Sequence, residues 1–224
     1  MLIVLIAVLL NAAASGAAMR VSSAGTWMVF LTPAVPYLVL TLAALVQMHR
    51  DGTLAAKLRP RSGDLSFGAI IALMLFFGSM AARMVLAPHG SVREAWIMRI
   101  YLQIGDPESL QSRLVLVSAV VILVAALEEV AWRGFIYGLI EDKLGSRRAW
   151  PITAVLYALA SLPTVFLLGD SFAGPNPLIF LAALGCGLVW GLVVARTGRL
   201  PVAIISHALF SWCVAVQFPL WRLG

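Results

Sequence analysis

Apolar runs close to the ~20 residues needed to cross a ~30 Å hydrocarbon core recur from one end of this chain to the other. They fall at about 2–19, 26–47, 66–87, 114–140, 150–168, 178–195 and 201–220. Backbone polar groups in lipid must be satisfied within the segment or around a closed barrel, so runs of this length read as helices. The expected fold is all-α, a polytopic transmembrane helical bundle of about seven spans. It forms a single integral membrane domain over residues 1–224.

Composition agrees. The chain is 62% hydrophobic and 12% charged, far from the average soluble domain. Its formal charge of +6 does not point to nucleic acid, because Lys and Arg stand singly or in small groups between apolar runs, with no basic, aromatic-interleaved groove. They distribute by topology. The even connections hold Arg50, Lys57, Arg59, Arg61, Lys143, Arg147, Arg148, Arg196 and Arg199, and the odd ones Arg20, Arg93, Arg99, Arg113 and Arg222. The positive-inside rule then puts the even connections and the N-terminus in the cytoplasm, and the expected location is a prokaryotic inner membrane.

The first run lacks the basic n-region of a signal peptide, so it is read as a retained span. Cys186 and Cys213 lie inside apolar runs, too few for a disulfide framework. Pro88 to Ser112 carries Trp96, Ile97, Met98, Ile100, Tyr101 and Leu102 beside charges, which reads either as an amphipathic stretch on the membrane surface or as a loop. Gly134-x-x-x-Gly138 and Gly187-x-x-x-Gly191 have the spacing that lets helices approach closely.

The chemistry concentrates in the fourth run. From Leu114 to Ile140 its only ionisable side chains besides Tyr137 are Glu128, Glu129 and Arg133. A charge at a helix centre costs about 2.5–3.5 kcal/mol on insertion scales, so three together need partners or a wet cavity. Glu129 and Arg133 stand at i and i+4 with the acid first, the favourable order for an ion pair. Glu128 points about 100° away and is the freer carboxylate, the candidate general base or acid. His207, in PVAIISHALFSW, and Ser161, in YALASLP, reach comparable depth on other spans. A structural ion pair and an ion or proton pathway are the alternatives these residues leave open.

With Glu128-Glu129-Val-Ala-Trp-Arg133-Gly134 and Arg196-Thr197-Gly198 leading to His207-Ala208-Leu209-Phe210, the chain resembles the CAAX-protease and bacteriocin-processing family of intramembrane endopeptidases, also called the Abi family. The similarity covers about Arg113 to Val216, a protease-like core (113–216) preceded by three spans and a surface-lying loop (1–112). The resemblance implies a hydrolase that cuts a membrane-associated peptide or protein. In it Glu128 activates water, His207 stabilises the oxyanion, and Glu129 and Arg133 support the site. The chain departs from the pattern twice. Ser161 stands where the family has a water-binding His, and serine cannot take a proton at neutral pH. Ser211 stands where the family usually has Asn.

Three routes follow from the first departure: Ser161 merely holds the water, a histidine comes from elsewhere (His49 or His89), or the chain is a degenerate homologue acting as an immunity or scaffolding protein. No metal and no cofactor is expected, because His-Glu-x-x-His is absent and adjacent glutamates diverge around a helix. Ser161, Ser206 and Ser211 lack the Gly-x-Ser-x-Gly elbow of serine hydrolases.

Overall fold

The structure, a computed structural model, describes residues 1–217; Arg222 and the end of the expected seventh run lie outside the described residues. The chain runs through α1 (Leu2–Ala18), α2 (Met28–Arg50), α3 (Leu54–Leu58), α4 (Asp64–Leu86), α5 (Glu94–Ile104), α6 (Pro107–Ser112) and α7 (Leu114–Glu129). A π-helical segment (Val130–Ile136) carries α7 without a break into α8 (Tyr137–Leu144), followed by α9 (Ser146–Ala160), α10 (Leu162–Leu167), α11 (Leu178–Thr197) and α12 (Pro201–Trp212). Helix makes up 82% of the structure, with no strand among the described residues.

Among the described residues, five helices are long and apolar enough to cross a membrane: α2, α4, Leu114–Leu144, Ser146–Leu167 and α11. Two shorter apolar helices, α1 and Pro201–Gln217, complete the bundle. α1 lies against α2, α9 and α10, while α12 packs between α4 and α7. Between 22% and 33% of each spanning window is buried, so residues such as Leu38, Phe77 and Met84 face outward. An apolar exterior of this extent suits lipid, in which a helix needs no polar face. The chain is an integral, multi-pass membrane protein.

Alternate connections gather at opposite ends of the bundle. At the even end Arg199 clamps Asp64 with both terminal nitrogens at 2.8 Å, and the Leu200 N–H donates to the Lys57 carbonyl at 2.9 Å. A bidentate guanidinium–carboxylate pair fixes orientation as well as attraction. At the odd end Gln103 Nε2 donates to the carbonyls of Ala18 and Arg20, and Trp96 Nε1 donates to the Gly174 carbonyl at 3.1 Å. The stretch Pro88 to Ser112 is thus helical, α5 burying Trp96 and Ile97 and leaving Met98 and Leu102 exposed.

Of the four spaced glycines, three sit at close approaches. A Cβ on Gly134 would stand 2.9 Å from Met48 Cε, one on Gly187 3.1 Å from Tyr157 Cδ1, and one on Gly191 3.3 Å from the Trp150 carbonyl oxygen. Gly138 departs from the expectation, with nothing within 4 Å of an added Cβ.

The tightest approach is one the spacing did not mark, Gly68 on α4, where a Cβ would meet Ile205 Cγ2 at 2.8 Å, Ile205 Cβ at 2.9 Å and the Val202 carbonyl oxygen at 3.1 Å. Branch and backbone atoms cannot swing away. Overpacking a close-packed contact costs about 1–3 kcal/mol, so Gly68→Ala is expected to lower the unfolding midpoint in detergent and Gly138→Ala to leave it in place. Equal midpoints for the two variants would refute the α4–α12 contact.

Candidate active site

Glu128 and Glu129 end α7 at mid-span, where the helix changes to π geometry. Segments of this kind are rare and sit often at functional sites. Their two carboxylates have separate surroundings. Glu129 is fully buried; its Oε1 accepts from Arg133 Nη1 at 2.9 Å and lies 2.8 Å from His207 Nδ1. Arg133 is 2% exposed, with its guanidinium carbon 4.6 Å above the Tyr157 ring and 5.4 Å from that of Trp190. Aromatic faces favour a desolvated cation. The i, i+4 pair implied by the spacing is present and sealed from solvent.

His207, on α12, joins this pair. Its ring stacks on Trp190 at 3.9 Å between centroids, and Trp190 is itself held by a 3.1 Å bond from Nε1 to Ser206 Oγ. Paired with an ionised Glu129, which can only accept, the imidazole would carry its proton on Nδ1. Its Nε2 then faces Glu128 Oε2 at 3.8 Å, close but beyond hydrogen-bond length.

Glu128 is the open member, its side chain 14% exposed. It lines a cavity of about 230 Å³ together with Tyr37, Tyr157, Ser161, Thr164 and Ile179. The other oxygen, Oε1, accepts a 2.7 Å hydrogen bond from the Tyr37 hydroxyl on α2. One turn further along α2, Thr41 Oγ1 donates to the Leu127 carbonyl at 2.9 Å. Neither residue stood out in the sequence. Each is a hydroxyl-bearing side chain at mid-span, which is the signal that could have marked them.

The remaining candidates divide. Ser161, at the break between α9 and α10, shares the cavity with Glu128, but its hydroxyl donates to the Ala158 carbonyl at 2.7 Å. Ser211, one turn beyond His207 on α12, is partly buried and is not part of that cavity wall. His49 is exposed at the even end of α2, and His89 is exposed and paired with Glu94 at 2.9 Å. Neither lines the cavity around Glu128. Among the described residues no three His, Cys, Asp or Glu side chains are grouped to hold a metal ion.

The cavity extends toward one half of the bundle. Its walls include Ser15, Ala18 and Met19 of α1 and the turn after it, Pro33 of α2, Thr164 of α10, and Ile179 and Ala183 of α11, all in the odd half of the bundle. The even ends are instead drawn together by the Arg199–Asp64 clamp.

Residues 110–213, a little under half of the chain, match the model of a family described as Type II CAAX prenyl endopeptidase Rce1-like. The family recognised from Glu128, Glu129, Arg133 and His207 is thereby borne out over this segment, and at family level the similarity is to a CAAX-type intramembrane endopeptidase. No curated protein and no solved structure matches the chain. The matched segment contains Ser161 and Ser211 as well, and stops short of Tyr37 and Thr41.

Proposed function

We propose that the chain is an intramembrane endopeptidase that cleaves a membrane-associated peptide or protein with water activated by Glu128. What carries the reading is the division of two adjacent acids: one sealed in an ion pair, the other facing a cavity at mid-depth. Glu128 takes a proton from a water in that cavity as the oxygen attacks the scissile carbonyl, then returns it to the leaving amine, the two halves of general base and acid catalysis. His207, held by Glu129 through Nδ1, turns Nε2 toward the developing oxyanion. Arg133 holds Glu129 in place.

Substrate access follows from the cavity walls. With the N-terminus cytoplasmic, as the nine cations of the even connections against five favour, the cavity faces the outer half of the bilayer. A second, apolar groove of about 390 Å³ between α4, α5 and α11 shares the wall residue Ile179 with it. Such a groove suits the hydrophobic anchor of a substrate, a prenyl chain of the kind in the family's description among them.

The alternative is a homologue that binds without cutting. It is favoured by one observation, the Ser161 hydroxyl turned back onto the Ala158 carbonyl at the position where the resemblance implies a histidine. The test is hydrolysis of membrane-anchored reporter peptides, prenylated tails and leader peptides included, by the purified chain in lipid vesicles with ¹⁸O-labelled water. We expect a label in the new carboxyl terminus. Bound but intact reporters would transfer the conclusion to the non-cleaving reading.

A further inference from the structure

We propose that Tyr37 is the positioning residue of Glu128, donating from α2 to one oxygen of the base in the cavity that both side chains line. The inference rests on the endopeptidase reading and adds a residue that lies outside the family-matched segment.

The geometry is specific. Tyr37 is 7% exposed, its hydroxyl meets Glu128 Oε1 at 2.7 Å, and both side chains line the same cavity. A carboxylate offers only acceptors, so the phenol donates. That bond orients the carboxyl plane and occupies one acceptor site of Oε1, leaving Oε2 the freer oxygen to take a proton from water. The groups around it cannot do the same work. His207 Nε2 stands 3.8 Å from Oε2, Arg133 is bonded to Glu129, and the Ser161 hydroxyl is spent on Ala158.

The placement of Tyr37 is itself secured. The Thr41–Leu127 bond ties α2 to α7 one turn away, so two contacts, 37 to 128 and 41 to 127, set the register of the helices. Thr41 touches backbone only, whereas Tyr37 touches the carboxylate. This difference separates a role in holding helices together from a role in holding the base.

Tyr37→Phe keeps the ring and removes the donor. In the full chain in vesicles, its kcat is expected to fall about 10- to 100-fold, the range of a lost hydrogen bond to a charged group, with KM within about twofold because no substrate contact is removed. Thr41→Val is expected to keep kcat near wild type. The infrared carboxylate band of Glu128, assigned as the band lost in Glu128→Gln, is expected to shift in Tyr37→Phe and not in Thr41→Val. This readout needs no turnover. A wild-type kcat or an unmoved band in Tyr37→Phe would overturn the proposal while leaving the protease reading standing. An equal loss of kcat in Thr41→Val would also overturn it, as a matter of helix register alone. Absence of hydrolysis by the wild type, with the band shifting as expected, would instead remove the protease reading and the catalytic role of Tyr37 together.

Discussion

Glu128→Gln is expected to lower kcat/KM by about 10²- to 10⁴-fold, the usual contribution of a positioned general acid–base group. The amide is nearly isosteric, and its carbonyl oxygen can still accept from Tyr37. The 2.7 Å contact therefore need not be lost with the base. Glu128 is also the acid with an opening to a cavity, so no buried charge is left without its partner. The unfolding midpoint should stay within a degree or two of wild type. Loss of activity with an intact fold is the result that assigns proton transfer to Glu128. Retention of a tenth or more of the activity would exclude it.

Arg133→Met is expected to behave in the opposite way, as a failure of the fold. Removing one partner of a buried ion pair costs about 3–5 kcal/mol because the other charge stays behind in a poor solvent. Here the survivor is Glu129, fully buried, with His207 Nδ1 as its remaining contact. The guanidinium also fills the space between the Tyr157 and Trp190 rings. Equilibrium unfolding in detergent should show the loss, and the double replacement Glu129→Gln with Arg133→Met should recover part of it. A single variant as stable as wild type would show that Glu129 is held neutral in the fold and that the pair is not ionic.

The spans were legible because lipid imposes one rule on every crossing segment. The expected 26–47, 66–87 and 178–195 became Met28–Arg50, Asp64–Leu86 and Leu178–Thr197, each end displaced by at most three residues where polar caps are weak signals. The pairing of Glu129 with Arg133 was legible for a similar reason, since it is local along one helix. What spacing could not supply was contact between helices. Tyr37 and Glu128 are 91 residues apart, and a tyrosine in an apolar run looks the same whether it faces lipid or a carboxylate. The π segment Val130–Ile136 escaped because a 3.6-residue period was assumed throughout. Gly68 has Gly78 ten residues on in its run and so carried no four-residue spacing, while Gly138 carried the spacing and meets no neighbour.

The cavity and the clamp at the even end together impose an order of events. Arg199 on Asp64 and Leu200 on Lys57 staple the connections on one side, and the walls around Glu128 belong to the other. On the endopeptidase reading, the peptide and the water it consumes would both approach Glu128 through this cavity, and both fragments would leave through it. A chain lying in the mouth would bar later water, so the nucleophile must already be seated beside Glu128 when the peptide enters. Turnover would then be paced by clearing the doorway and refilling it with water.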